Sequence, residues 1–249
     1  MNRLVQVTDL HVKAKASDNA KVVAVLKRAK DVAAGAPVVA TGDLVDYGWN
    51  DDGWKRFDEI LASLAIPNFV GVPGNHDATS IIIGQGFDQQ SWDKFRARFP
   101  KWKEDVEAPA GFRLDTDTDV LLLNSLVKND AYFACGEIGD RQLKTLRTYL
   151  SGMAPGRKAL VFLHHHLHDP SPFEELVDAK RLERVLLDNL DHVGFVGFGH
   201  RHSFAEYKLT AKGRTVKELS LEKTPDSGTF AEIFKKDDGD WDWRRPKKG

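Results

Sequence analysis

Two patterns of apolar residues alternate along most of the chain, one typical of strands and the other typical of helices. Short runs of consecutive apolar residues between turn-forming residues predict buried strands. These runs are RLVQV (3–7), PVVA (37–40), PNFVGV (67–72), VLLLNSL (120–126), ALVFL (159–163) and HVGFVGF (192–198). Apolar residues at helical spacing predict helices between them, at 17–34 with Ser17 or Asp18 as the cap, from Asn50 or Asp51 to 64, at 138–150 and at 174–190. Strands that alternate with helices indicate an α/β fold with a mixed sheet.

Two segments depart from this alternation. Residues 78–113 form an irregular excursion, with one short helix predicted near 91–98. We expect most of its aromatic rings to pack on the surface, with stacking on a substrate base as the alternative. Residues 203–249 contain alternating runs broken by Gly213 and by 226–228, which predicts antiparallel strands. We expect residues 1–249 to form a single domain. The rings of the excursion are Trp92, Phe95, Phe99, Trp102 and Phe112.

Composition narrows the class of protein. The 249 residues are 41% apolar and 29% charged, with a net charge of −1, which is typical of a soluble globular protein and lacks the basic excess of a nucleic-acid binder. The single cysteine, Cys135, excludes an internal disulfide and a cysteine-rich metal site, and we expect it to be a small buried residue. No apolar run is long enough to span a membrane. Because a strand begins almost at once and leaves no room for a signal peptide, we expect a cytoplasmic protein.

Metal-ligating residue types follow five of the predicted strands, at the point where each strand ends. Ligands in open α/β sheets gather at this edge, so we expect these side chains to converge if the strands lie in adjoining sheets. Each group of residues alone is compatible with a turn, a cap or a loop, but five groups in this order are not explained that way. In chain order the residues are Asp9 and His11, then Asp43, then Asn75 and His76, then His164, His165 and His166, then His200 and His202.

The residue types indicate which ions would suit such a site. Carboxylate, amide and imidazole donors without thiolate favour Mn²⁺, Fe or Zn²⁺. The donors exceed the needs of one ion, which predicts two ions about 3.5–4 Å apart that share a carboxylate. Gly42, Gly74 and Gly199 directly precede ligand candidates, where a sharp turn out of a strand leaves little space for a side chain.

These motifs together resemble those of a known family. The order D-x-H (9–11), G-D (42–43), G-N-H-D (74–77), a histidine after a late strand (164) and G-H-x-H (199–202) is similar to that of the calcineurin-like metallophosphoesterases, over residues 5–202. The segment GEIGDRQLKTL (136–146) resembles the branch that contains the class III cyclic-nucleotide phosphodiesterases. One departure is HHHLH at 164–168, where that branch has His-His-Pro-Pro.

The resemblance implies a four-layer sandwich of two mixed β-sheets flanked by helices, with a dinuclear metal centre. It implies a catalytic His76 that faces the phosphate and is not a ligand. We consider His165 and His166 candidate substrate-lining residues, with a solvated position as the alternative. Asp77 is a further candidate, with a loop-supporting or plain turn role as the alternative. We expect His168 to be solvated and His192 to be structural. The implied ligands are Asp9, His11, Asp43 and His202 for one ion and Asp43, Asn75, His164 and His200 for the other.

The function implied is hydrolysis of small phosphodiesters, with cyclic nucleotides as one candidate. A nuclease, a general phosphomonoesterase and a non-catalytic scaffold are the alternatives. We expect a small phosphoester substrate, no stable nucleic-acid partner and no membrane association. The sequence gives no signal for an oligomeric state.

Overall fold

A computed structural model describes residues 2–78, 88–102, 109–126, 134–168, 171 and 173–246. Within these ranges the strands form two sheets, one of five strands and one of six. The strands are β1 (Arg3–Val7), β2 (Val38–Thr41), β3 (Phe69–Val72), β4 (Ala110–Arg113), β5 (Thr118–Leu122), β6 (Lys158–Phe162), β7 (Val193–Phe198), β8 (Ala205–Ala211), β9 (Arg214–Ser220), β10 (Ala231–Lys235) and β11 (Trp241–Arg244).

Both sheets are mixed. Sheet 1 has the order β11-β10-β1-β2-β3, in which β1, β2 and β3 run parallel and β10 and β11 antiparallel. Sheet 2 has the order β4-β5-β6-β7-β9-β8, with four parallel strands inside and antiparallel strands at both edges. The C-terminal strands divide between the sheets. They form the predicted antiparallel pairs, β8 with β9 and β10 with β11, and β9 pairs in addition parallel with β7.

The helices of the described residues lie largely where the apolar spacing places them. The helix from 51 begins as predicted, because the Asn50 side chain accepts hydrogen bonds from the backbone of Asp52 and Gly53. The helices are α1 (Ala20–Ala33), α2 (Asp51–Leu64), α3 (Asn75–Ala78), α4 (Gln89–Arg98), α5 (Asp140–Ser151), α6 (Ala179–Asp188) and α7 (Thr224–Ser227).

Two predicted helix starts are wrong. Neither Ser17 nor Asp18 caps α1, because a 3-10 turn (Ala16–Asn19) comes first and the Asn19 side chain bonds the Lys13 backbone instead. The helix expected from 174 begins at 179. Gly136 pairs with the backbone of 175 and 177 and holds that stretch as turns.

Apolar side chains form two clusters that separate the layers. One joins sheet 1, α1 and α2 to the inner face of sheet 2, and the other lies between the outer face of sheet 2 and helices α5 and α6. Along β5, Val120 and Leu122 point into the first cluster and Leu121 into the second, as strand alternation requires. The predicted four-layer sandwich is therefore confirmed.

Four of the five aromatic residues of the excursion are core residues, and Phe112 is half-buried. Trp92, Phe95 and Trp102 are almost fully buried, Trp92 stacks on Phe95 with 5.5 Å between ring centroids, and the Trp102 indole donates to the Gly71 carbonyl at 2.9 Å. They cover β3, the edge strand of sheet 1. The expectations of surface packing and of base stacking are both wrong for these three rings. Residues 79–87 and 103–108 of the excursion lie outside the described residues.

The exposure of the single cysteine and the length of the helices bear on two expectations from the composition. Cys135 is half-exposed, so the expectation of a buried residue is wrong. Among the described residues, no helix is long and apolar enough to cross a membrane.

Candidate metal centre

The carboxyl ends of β1, β2, β3, β6 and β7 bring the predicted ligands together in two sets. In the first set the donor atoms all lie within 4.8 Å of one another. His11 Nε2 lies 3.2 Å from His202 Nε2, which is in turn 3.4 Å from Asp9 Oδ1. Three of the four residues are buried, whereas His202 is exposed and opens the set to solvent. The set comprises Asp9, His11, Asp43 and His202.

The second set centres on His164. Its Nε2 lies 3.0 Å from Asn75 Oδ1 and 3.2 Å from His200 Nδ1. Two imidazole nitrogens and an amide oxygen thus face one small volume, as donors to a shared cation would.

Asp43 lies between the two sets. Its Oδ2 is 3.6 Å from His11 Nε2, and its Oδ1 is 3.4 Å from His164 Nε2. Each carboxylate oxygen therefore faces a different set. This is the arrangement that a bridging ligand requires.

The backbone at most of these positions is in the left-handed region, which non-glycine residues rarely adopt. Such a conformation costs of order 1–3 kcal/mol per residue and persists only where surrounding contacts enforce it. Here the Asp9 amide donates to the Gly42 carbonyl and the His11 amide to the Asp43 carbonyl. Local sequence did not predict this strain. The values of φ are 50° at Asp9, 44° at His11, 51° at Asp43, 73° at His200 and 53° at His202.

The three glycines before the ligands allow chain segments to approach closely. A Cβ on Gly42 would lie 2.2 Å from His164 Nδ1. On Gly74 it would lie 2.2 Å from the Asp43 amide nitrogen, and on Gly199 1.9 Å from the Thr8 hydroxyl. Any side chain at these positions would push the two ligand sets apart.

Hydrogen bonds fix which imidazole nitrogen faces the site. His164 Nδ1 lies 2.8 Å from the Thr41 carbonyl oxygen, which can only accept, so Nδ1 donates and Nε2 points to the second set. His76 Nδ1 donates in the same way to the Asp46 carbonyl at 2.7 Å. Its ring lies 4.6 Å from that of His11, centroid to centroid, and it remains half-exposed at the edge of the site.

The charges of the site are strongly coupled. Although burial opposes ionisation, the neighbouring histidines, His164 first among them, hold the pKa of Asp43 well below its usual range. Burial likewise opposes protonation of His164, but Asp43 raises its pKa to about 9. Asp43 is also the main cause of the raised pKa of His76. The carboxylates of this site therefore attract cations, and in the metal-free chain they favour a proton on His164 and on His76.

Asp46 is a site residue that the motif analysis missed. Its Oδ1 lies 3.5 Å from His11 Nδ1, on the opposite side of the ring from Asp43. Donor atoms of His11, Asp46 and His76 also lie within 4.8 Å of one another. A carboxylate behind a metal-ligating histidine orients the ring and raises its basicity. The available signal was a second aspartate on the same loop, three residues after Asp43.

Asp77 has no exposed surface, so it cannot line a substrate space. Its Oδ1 accepts from the amides of Leu44 and Val45 at 2.8 and 3.1 Å, and its Oδ2 from that of Gly74 at 3.0 Å. The side chain therefore ties the loop after β2 to the loop after β3. This agrees with the loop-supporting alternative and corrects the substrate-lining one.

His165 and His166 are also corrected by their burial. His165 is fully buried, and its Nδ1 and Nε2 bond to the Ser125 hydroxyl at 2.7 Å and the Ala134 carbonyl at 3.0 Å. Burial, aided by His200 and His164, lowers its pKa well below the usual value. His166 is 2% exposed, and its ring packs against those of Phe198 and Tyr207.

The last two histidines have structural contacts. His168 is not simply solvated, because its Nε2 lies 2.8 Å from the carboxylate of the buried Glu218. His192 Nδ1 donates to the Arg157 carbonyl at 3.1 Å, in line with the predicted structural role.

Comparisons with known proteins agree with this geometry. The family model for calcineurin-like phosphoesterases matches residues 2–204. The 3',5'-cyclic adenosine monophosphate phosphodiesterase CpdA of Haemophilus influenzae is 33% identical over 130 residues, which are 52% of this chain and 40% of that relative. This chain thus matches less than half the length of that curated relative.

Solved structures share the fold. A dimetal phosphatase from Danio rerio has a TM-score of 0.70 and 14% identity, over 94% of this chain and 92% of that one. The purple acid phosphatase PPD1 from yellow lupin seeds has a TM-score of 0.66 and 12% identity, over 98% of this chain and 51% of that one. At these identities the likeness establishes the fold alone.

Proposed function

The chain belongs to the calcineurin-like phosphoesterase family of metal-dependent hydrolases, and on that premise we propose that it hydrolyses small phosphodiesters at a pair of divalent cations. Cyclic nucleotides are one candidate class of substrate. The observation that carries the proposal is the position of Asp43, whose two oxygens face His11 at 3.6 Å and His164 at 3.4 Å. A carboxylate placed in this way can serve two ions at once.

The residues present fit two such cations. Oxygen and nitrogen donors without thiolate favour Mn²⁺, Fe or Zn²⁺. When bound, two such cations neutralise phosphate oxygens and lower the pKa of a water molecule toward neutral pH. We assign Asp9, His11, Asp43 and His202 to one cation and Asp43, Asn75, His164 and His200 to the other.

His76 is the proposed proton donor. Its Nδ1 proton is held by the Asp46 carbonyl, so Nε2 is the atom available to a leaving-group oxygen. Asp43 favours the protonated ring. An alkoxide leaving group, as in a diester of a sugar or glycerol, needs such a donor.

Two observations support a small diester over other phosphoesters. The curated relative that matches half of this chain is a cyclic adenosine monophosphate phosphodiesterase. The net charge of −1 provides little attraction for long nucleic acids, whose binding depends on neutralisation of phosphates by Lys and Arg.

Metal analysis tests the two-cation centre. Protein purified with Mn²⁺ supplied should contain close to two ions per chain, and Asp43→Asn should lower the occupancy of both, because the Asp43 carboxylate faces both sets. Asp178→Asn is the control, since this buried carboxylate bonds the amides of Ile138 and Gly139 instead. A wild-type content near zero, or an Asp43→Asn variant that keeps both ions, would contradict the assignment.

Catalytic efficiency tests the substrate class. We expect kcat/KM with Mn²⁺ to be higher on bis-para-nitrophenyl phosphate, a diester, than on para-nitrophenyl phosphate, a monoester. A clear preference for the monoester would indicate a general phosphatase. A preference for long DNA would indicate a nuclease, and no hydrolysis by the metal-loaded protein would indicate a scaffold.

A further inference from the structure

Two large aromatic side chains stand exposed beside the proposed proton donor. Tyr47 and Trp49 are 42% and 43% exposed, whereas Trp54, Trp92 and Trp102 are buried. The Tyr47 ring lies 6.4 Å from the His76 ring and 6.1 Å from the Trp49 ring, centroid to centroid. The Tyr47 ring is therefore a neighbour of both the His76 ring and the Trp49 ring.

The backbone that carries these rings is held firmly from both sides. The Gly48 amide donates to the His76 carbonyl at 2.7 Å, and the Gly48 carbonyl accepts from the Trp54 indole at 2.7 Å. A Cβ on Gly48 would lie 2.1 Å from the Asp77 carbonyl oxygen, so the loop packs directly on the GNHD segment.

The Trp49 carbonyl is also fixed, by the Lys94 ammonium on α4 at 2.5 Å. Lys94 pairs in addition with Asp51, at the start of α2, at 2.8 Å. Each exposed ring thus projects from a fixed backbone, which lowers the entropy lost when a ligand packs against it.

We propose that Tyr47 and Trp49 form a stacking platform for a planar ring of the substrate, so that the preferred phosphoester carries a nucleobase or a similar heteroaromatic group. This inference rests on the proposed function, since it places the phosphate beside His76. The platform begins at Tyr47, whose ring neighbours that of His76, the proposed proton donor to the leaving group. Stacking on exposed aromatic rings accepts any base, because every base has a π-face.

Binding of two matched ligands to Mn²⁺-loaded protein, measured by calorimetry, tests the platform without relying on diester hydrolysis. Adenosine 5'-monophosphate and ribose 5-phosphate share a phosphate and a sugar, and only the first has a base. We expect the wild type to bind the nucleotide more tightly. Trp49→Ala should weaken nucleotide binding roughly 5- to 150-fold, the usual range for loss of one stacked base, and leave ribose 5-phosphate unchanged.

Variants separate stacking from other effects. Trp49→Phe keeps a ring and should retain most of the difference between the two ligands, whereas Trp49→Leu keeps only apolar surface and should lose it. Tyr47→Ala should act in the same direction as Trp49→Ala. Tyr149→Ala is the control, because Tyr149 is 44% exposed on α5; this variant should bind both ligands like the wild type.

The outcomes distinguish this inference from the proposed function. Equal binding of the two ligands by the wild type, or an unchanged ratio in the Tyr47→Ala/Trp49→Ala double variant, overturns the platform even if diesters remain the best substrates. A nucleotide preference that depends on Trp49 supports the platform even if the enzyme prefers monoesters.

Discussion

Replacement of Asp77 tests how the metal-binding loops are held. Asp77 is fully buried, and its carboxylate accepts three backbone hydrogen bonds from Leu44, Val45 and Gly74. In Asp77→Asn the remaining oxygen can keep the first two bonds, but the amide group then faces the Gly74 N–H, so that two donors oppose each other. We expect the free energy of unfolding to fall by about 1–3 kcal/mol, the cost of one buried polar group without a partner.

Asp77→Ala removes all three acceptors at once. The same reasoning gives a loss of about 3–9 kcal/mol, which is a large share of the total stability of about 5–15 kcal/mol that domains have. The Asn variant is therefore the more informative one, because it should still fold. The loops after β2 and β3 should bind metal less tightly in this variant. The residues that bond to Asp77 adjoin candidate ligands, because Leu44 and Val45 directly follow Asp43 and Gly74 directly precedes Asn75.

Urea unfolding followed by tryptophan fluorescence, together with metal content and kcat/KM, measures these effects. Asp178→Asn is a matched control, because Asp178 is also buried and accepts two backbone hydrogen bonds; it should lose stability but keep metal. The role of Asp77 in holding the two loops together is refuted if Asp77→Asn matches the wild type in unfolding free energy and metal content. A loss of kcat/KM alone, with unfolding free energy and metal content unchanged, would also contradict this role, because loosened loops should hold metal less well.

Three further predictions concern histidines. His76→Ala should keep the metal content and lower kcat by about 10²- to 10⁴-fold, as removal of a proton donor does, and loss of an ion measured by elemental analysis would contradict its role. In the metal-free chain the pKa of His164 is about 9, so a metal must displace its proton at pH 7, and loss of this competition should strengthen Mn²⁺ binding by about tenfold per pH unit from 7 toward 9. Calorimetry in buffers of different ionisation enthalpy should detect the proton release, and identical heats of binding in all buffers would argue against it. The hydrogen bond to Glu218 raises the pKa of His168 above 6.5, so the contribution of this bond to stability is complete below pH 6.5 and is lost as the pH rises through the raised pKa. The difference in unfolding free energy between wild type and His168→Gln should therefore be larger at pH 6 than at pH 9, and an equal difference at both would contradict this linkage.

Sequence alone determined the features that depend on neighbours along the chain. Hydrophobic period identified β1, β2, β3 and β6 and the stripe of α2, because the direction of a side chain repeats every two residues in a strand and every 3.6 in a helix. It also showed that five of the six predicted strands are followed by a metal-ligating residue type. The order and identity of these residues led to the family and to the four-layer fold.

Only the tertiary structure decided which of these residues meet and in what role. The run at 164–166 offers three identical side chains, yet His164 is bonded to Thr41 on β2 and His165 to Ser125 after β5. Contacts between loops that are distant in sequence likewise determine the left-handed backbone of the candidate ligands, the hydrogen bonds of Asp77 and the position of Asp46 behind His11.

The aromatic residues show the same division. Composition marked the rings of the excursion as candidates for a substrate surface, but α4 packs on the edge of sheet 1 and buries Trp92 and Phe95. Tyr47 and Trp49 carried no signal in the sequence, and their exposure beside His76 follows from the way the loop after β2 packs against the GNHD segment. Burial and proximity are set by how separate elements pack, and a local pattern does not contain that information.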